Sequence, residues 1–183
     1  MIKVITYRAL CASEIDRELF RVFVRHQVVD QCLRREENAW VVRSAPFVDD
    51  WSEEDYQFLI ACLQNTIKTG GAVYGAFQEG KLKGFASVES GLFGEEHRYL
   101  DLTSLHVSED MRRSGIGRTL FQMAAEWART QGAAKLYISS HSAIETQRFY
   151  RSLGCVDAAR PQQKHAEAEP FDCQLEYPLC PAE

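Results

Sequence analysis

The chain has 183 residues, 45% of them hydrophobic and 26% charged, with a formal net charge of −5. That is the length of one ordinary domain and the composition of a folded one, which excludes disordered and collagen-like architectures. The acidic surplus argues against nucleic acid held by bulk charge, and no apolar run approaches the ~20 residues that span a bilayer.

Residues 2–7 alternate polar and apolar side chains, which predicts a strand, and they lack a signal-peptide core, so the expected location is the cytoplasm. Ser13, with Asp16 three residues on, predicts the cap of a helix that carries Leu19, Phe20, Phe23 and Val24 and runs to about Arg35. From Glu36 to Asp50 the periodicity is weak and contains Pro46, which predicts a loop with a short strand near Trp40-Val41-Val42. Tyr56, Leu59, Ile60, Leu63 and Ile67 then fall at helical spacing until Gly70-Gly71. Two strands, 72–78 and 82–89, are joined by Glu79-Gly80, and a third lies near 99–107.

Ile116, Leu120, Met123, Ala124 and Trp127 mark an amphipathic helix ended by Gly132. A strand at 134–139, a helix at about 144–152 and a strand after Gly154 come next. In the last segment Phe171, Cys173, Leu175, Tyr177 and Leu179 alternate with polar residues, and Pro178 marks an edge or an end. Such a terminal strand could pair across a homodimer. No repeat or linker divides the chain, so residues 1–183 are expected to form one domain. The element order predicts a mixed α/β sheet with helices on both faces. Six cysteines are scattered without a C-x-x-C pair or clustered histidines, so reduced, packed thiols are expected and no metal.

The segment from Leu105 through His106 and Val107 to Thr119 carries the chemistry. A strand runs into a loop that holds Gly115 and Gly117, and a helix starts at once. Glycines admit a ligand close to the backbone, and successive N–H groups at a helix start make an anion nest. Arg112, Arg113 and Arg118 add positive charge, and residues 111–120 contain no acid. Gly117 is followed by Arg118-Thr119 rather than Lys-Ser/Thr, so a nucleoside triphosphate loop is not expected. Leu120 stands where a dinucleotide fingerprint needs its third small residue.

Arg112-x-x-Gly115-x-Gly117 after a strand-ending valine resembles the acetyl-CoA pyrophosphate loop of the GNAT N-acetyltransferase superfamily. Phe149-Tyr150-Arg151-Ser152-Leu153-Gly154-Cys155 resembles that family's segment on the next helix. The close resemblance covers roughly residues 99–158. It implies the GNAT fold, a central and mostly antiparallel twisted sheet flanked by helices. It also implies acetyl-CoA as co-substrate, no metal, and acetyl transfer to a primary amine by direct attack in a ternary complex.

In that reading the amides of Arg113, Ser114, Gly115, Ile116, Gly117, Arg118 and Thr119 hold the pyrophosphate. Leu105 to Val107 pair with the pantetheine arm and polarise the thioester carbonyl, with His106 as a wall residue. Tyr150 protonates the departing thiolate, and Asp101, Glu89 or a water chain takes the ammonium proton. Where the family often has asparagine, seven residues before the tyrosine, this chain has Ala143. A GNAT-like domain that binds acyl-CoA without turnover is the alternative.

Polyamines, aminoglycoside-like antibiotics, amino acids and protein N-termini or lysines all remain open as acceptors, and the acid-rich stretch leans towards a cationic small-molecule amine. Asp49, Asp50, Glu53, Glu54 and Asp55 crowd the start of the second helix. They serve either to cap it and meet its dipole, or to border a site for a cation. His165, Glu167 and Glu169 lie in the loop before the last strand, either as polar surface or against the acceptor.

Overall fold

The computed structural model describes residues 4–179, so Met1 to Lys3 and Cys180 lie outside the described residues. Strand β1 (Ile5–Ala9) leads into one 3-10 turn at Ala12–Glu14 and further turns. The helix expected from Ser13 to Arg35 does not form. Ile15, Phe20 and Phe23 are buried by turns instead, and the two phenylalanine rings each lie 5.5 Å from the ring of Phe85. Helix-like spacing there serves a cluster that irregular backbone also satisfies.

After these turns comes a hairpin, β2 (His26–Glu36) and β3 (Ala39–Asp50), in place of the expected helix end and loop. It forms a two-stranded sheet of its own, turning at Glu37 (φ +53°). The predicted short strand at 40–42 is part of β3. Pro46 falls where the register breaks, between Val29↔Phe47 and Gln31↔Ser44, so its missing N–H costs no ladder bond.

Helix α1 (Glu53–Lys68) opens with a capping box between Ser52 and Asp55. Strands β4 (Ala72–Gln78), β5 (Lys81–Val88) and β6 (Tyr99–Val107) come next, then helix α2 (Ile116–Thr130) and strand β7 (Lys135–Ser140). Helix α3 (Ile144–Leu153), strand β8 (Val156–Asp157), a short helix α4 (Gln163–Ala168) that the sequence pattern does not predict, and strand β9 (Cys173–Pro178) complete the chain. No helix among the described residues is long and apolar enough to cross a membrane.

Seven strands pair in the order β1-β4-β5-β6-β7-β9-β8, all antiparallel except β6 with β7. Alternation along β4 and β5 divides the core between the two faces. Tyr56, Ile60 and Leu63 of α1 pack with Val73, Phe77, Leu82 and Phe85 on one face. Ile116, Leu120, Phe121 and Ala124 of α2 pack with Ala76, Ala86, Val88 and Leu102 on the other.

Two local features aim the site. First, β6 and β7 pair only from Tyr99↔Lys135 to Asp101↔Tyr137 and then part. The register of β6 with β5 shifts so that Thr103 has no partner, a bulge of the kind that bends a strand. Second, Gly84 lets α2 sit close on β5: a Cβ there would lie 2.6 Å from Ile116 Cγ2 and 3.0 Å from Leu120 Cδ1. Both contacts are at the start of α2, beside the glycine loop. Gly84→Val is expected to cost about 1–3 kcal/mol by overpacking and, by displacing the loop, to weaken the acetyl-CoA binding that the sequence resemblance implies. Urea unfolding and calorimetry check this; an unchanged midpoint and affinity would show that the close approach positions nothing.

Candidate active site

Where β6 and β7 separate, a cleft of about 700 Å³ opens. Its walls are Thr103 to Val107 of β6, the loop from Met111 to Arg118, Ser139 to His141 after the fork, and Phe149 and Tyr150 of α3. The backbone on the β6 side is directed into it. Ser108 N–H donates to Lys83 C=O at 2.9 Å, and His106 pairs with Phe85 in the same ladder. By alternation, the N–H and C=O groups of Leu105 and Val107 face away from β5, toward the cleft.

The loop supplies a second row of donors. Arg113 (φ +62°) and Gly115 (φ +86°) take left-handed conformations that turn the chain into α2. Among the described residues, the backbone N–H groups of 113–118 donate to no protein acceptor, and the first helical bond is Thr119 N–H to Gly115 C=O at 3.1 Å. Gly115 has no heavy atom within 4 Å of where its Cβ would stand, so the space over the loop is open. At Gly117 a Cβ would lie 3.2 Å from Phe149 Cζ and 3.5 Å from Val107 Cγ2. That contact ties the two sequence motifs together, because the loop glycine is seated against the residue next to Tyr150.

The charge in the cleft is one-sided. Arg25, Arg112, Arg113, Arg118 and Arg148 line it, against the single acid Glu145, whose closest approach to Arg113 is 3.9 Å. Arg112 also donates to the His26 carbonyl and so ties the loop to the hairpin. These donors and cations fit a pyrophosphate.

Tyr150 is 7% exposed, with its ring edge-on to Phe121 at 6.3 Å and to Phe149 at 5.2 Å. Its hydroxyl has no hydrogen-bond partner among the described residues, and burial pushes its pKa up, so the phenol stays protonated through neutral pH. His106 is packed against Trp51 at 4.9 Å and Phe85 at 5.3 Å. Burial, with Arg25 and Arg112 nearby, lowers its pKa to about 3, so it is neutral and a poor proton acceptor.

Asp101 and Glu89 do not line this cleft. Asp101 sits on the last paired rung of the fork and binds His165 Nε2 of α4 at 2.7 Å, which raises the imidazole pKa. Glu89 accepts from Thr66 Oγ1 at 2.6 Å. The acid-rich segment is mostly engaged: Asp49 pairs with Arg25, Asp50 with His26 and Glu53 with Arg17, while Asp55 completes the cap of α1. Ion pairs along the hairpin and with Arg17, together with the cap of α1, thus engage most of that segment.

Residues that the sequence pattern does not single out also shape the cleft. Gln147, buried in α3, donates to Ser140 Oγ at 2.7 Å and to the His141 carbonyl at 2.8 Å, bolting α3 to the end of β7. Only its place one turn before Tyr150 hints at this. Ala143 is 1% exposed and bridges to Cys32 of the hairpin, while Ser142 C=O accepts from Leu33 N–H at 2.8 Å. The position where the family often has asparagine is thus covered by β2, and a small residue suits that close approach.

The chain is similar to known proteins in ways that match this geometry. A family model described as the acetyltransferase (GNAT) family matches residues 36–155. No curated protein sequence matches the chain. Among solved structures it resembles nourseothricin acetyltransferase, with a TM-score of 0.71, 17% identity, and coverage of 96% of this chain and 99% of that one. It also resembles a putative streptothricin acetyltransferase from Bacillus anthracis str. Ames in complex with acetyl coenzyme A (TM-score 0.71, 14% identity, 94% and 96% covered). An aminoglycoside 6′-N-acetyltransferase complexed with coenzyme A is more distant (TM-score 0.55, 13% identity, 73% and 84% covered). The fold of these structures is the one expected from the sequence, and the matched span holds the fork, the amide loop and Tyr150. The chain belongs to the acetyltransferase (GNAT) family and is an acetyl-CoA-dependent N-acetyltransferase.

Proposed function

We propose that this protein, acting as a single cytoplasmic domain, transfers the acetyl group of acetyl-CoA to a primary amine of a small, cationic molecule. The observation that carries the reading is the row of unpaired N–H groups at 113–118 on an acid-free loop, with Tyr150 across the same cleft. These amides cradle the pyrophosphate, while the free edge at Leu105 and Val107 aligns the pantetheine arm by strand-like hydrogen bonds. One of the amides on that edge polarises the thioester carbonyl as charge develops on its oxygen. Tyr150 stays protonated until the C–S bond breaks and then hands its proton to sulfur. Holding amine and thioester together supplies the proximity that a bimolecular reaction lacks in water.

The antibiotic acetyltransferases named above make streptothricin-like and aminoglycoside amines sensible first acceptors. The expected outcome is CoA thiol release that requires both acetyl-CoA and an amine. Acetyl-CoA binding without acceptor-dependent release across nourseothricin, aminoglycosides, polyamines and N-terminal peptides would instead favour a non-catalytic acyl-CoA-binding domain.

Gly115→Glu places a carboxylate in the open space over the loop, in a conformation that side chains rarely adopt. Acetyl-CoA affinity should fall at least about tenfold, a loss of ~1.4 kcal/mol. Unchanged affinity by calorimetry would refute the loop assignment. Tyr150→Phe should lower kcat about 100-fold with little change in acetyl-CoA affinity. Normal turnover, with chemistry rate-limiting, would remove Tyr150 from the mechanism.

A further inference from the structure

Behind the fork, on the side where α4 and the start of β9 approach β7, polar groups converge on one carboxylate. Asp172 immediately precedes β9, and its Oδ2 accepts from Ser139 Oγ at 3.3 Å. Ser139 belongs to β7 just beyond the last rung of the fork and lines the cleft. Asp172 does not itself line the cleft, just as Asp101 and Glu89 do not, but the serine that holds its carboxylate does, so it stands one hydrogen bond from the space between the parted strands. The same serine receives Gln174 Nε2 at 2.8 Å, and Gln174 accepts from Tyr137 OH at 2.6 Å, so its rotamer is fixed from below.

The other partly buried carboxylates around the fork already have partners. Asp101 holds His165 and Glu89 holds the Thr66 hydroxyl. Glu176 holds Lys135 at 2.6 Å and Tyr99 OH at 2.7 Å, and Asp157 holds Arg151 and Trp40 Nε1. Asp172 has no cation within ion-pair distance among the described residues. A carboxylate taken out of water is costly unless paired. Asp172, like Glu89, has only a hydroxyl as side-chain partner among the described residues, and of the two only Asp172 is held by a residue that lines the cleft.

We infer that Asp172 receives the ammonium group of the acceptor and takes its proton, and this rests on the acetyl-transfer reading above. Its electrostatics agree with that role. Burial raises the pKa of Asp172, making it a better proton acceptor than an exposed aspartate, and its negative charge reaches Tyr150. The proton acceptor and the proton donor to sulfur are thus near enough to interact, and Ser139 lines the cleft beside the carboxylate.

In the transfer step the Asp172 carboxylate takes one proton from R–NH3+ and becomes a carboxylic acid. The freed lone pair forms the N–C bond to the acetyl carbonyl carbon while the C–S bond breaks. Tyr150 protonates the sulfur and regains a proton from the acetylated nitrogen, and Asp172 returns its proton to solvent. The products are the acetamide and CoA thiol.

The groups that face Asp172 are Ser139 from β7, His141 from the β7–α3 connection, His165 from α4, Glu169 just beyond α4, Tyr150 from α3 and Cys173 at the start of β9. His141 and His165 favour the carboxylate when protonated, and Glu169 disfavours it. Below the raised folded pKa of Asp172 both of its roles are lost, so the rate of the native enzyme falls on the acid side.

The test compares the native protein with Asp172→Asn and Asp172→Glu, using nourseothricin and spermidine as acceptors. Asp172→Asn should bind acetyl-CoA normally by calorimetry, showing that the fold and the loop are intact. Its turnover at neutral pH should fall about 100-fold or more, with partial rescue by glutamate. Its rate should also climb about tenfold per pH unit toward the pKa of the amine, because only free base reacts, while the native enzyme levels off earlier. Equal turnover, or an unchanged pH profile, overturns the proposal. Amine binding to the CoA-loaded protein is followed in parallel by NMR. Binding that requires Asp172 without any turnover supports the site and sinks the transfer reading. Binding indifferent to Asp172, or no binding or turnover with either amine, overturns the site.

Discussion

The structure depends on the early separation of two strands. A parallel pair inside a sheet normally continues until one strand ends, since every broken rung leaves buried donors and acceptors without partners. Here β6 and β7 part after Asp101↔Tyr137, at the bulge centred on Thr103, and the edge at Leu105 and Val107 is left open. The cost of that open edge is met when another extended chain pairs with it, and an acyl-pantetheine arm has the required alternation of carbonyl and amide groups. The remaining parts of the site are arranged around the opening. Gly84 brings α2 and its amide row to one end, Gln147 fixes α3 and Tyr150 along one side, and Arg112 joins the hairpin to the loop.

Charge is distributed to match. The net charge of −5 describes the whole chain and not the cleft, where five arginines face one glutamate. Many acids on the rest of the molecule hold a cation or cap a helix, as Asp49, Glu53, Asp55, Asp101 and Glu176 do. In the proposed reading the anionic end of the co-substrate meets the basic side of the fork. In the same reading an approaching ammonium meets Asp172, a carboxylate with no ion-pair partner among the described residues.

Much of this is legible in local pattern, and the exceptions share a cause. Helices α1, α2 and α3 follow from apolar spacing and from Gly70, Gly132 and Gly154, each at positive φ where the helix stops. The two glycine-containing motifs locate the loop and Tyr150 because their chemistry is local. The hairpin β2–β3 escapes such a reading because its stability is not local: its buried residues Val29 and Cys32 find their partner in Ala143, more than a hundred positions away. Half its side chains face solvent on a ribbon, and the turns before it bury Phe20 and Phe23 at a spacing that imitates a helix. The position of the carboxylates is illegible for a related reason. Asp101, Glu89 and Asp172 look alike in sequence, and only the fold shows that His165 holds the first, Thr66 the second, and a serine lining the cleft the third.

The amides of 113–118 donate to no protein acceptor among the described residues, and every role proposed for the cleft rests on their holding the pyrophosphate. Titrating acetyl-CoA into a 15N-labelled sample, with the backbone amide resonances followed one by one, examines it without any acceptor. The largest shifts and new protection from hydrogen exchange should fall on residues 113–118, with Leu105 and Val107 next. Saturable binding that leaves those amides unmoved and exchanging as before would contradict it.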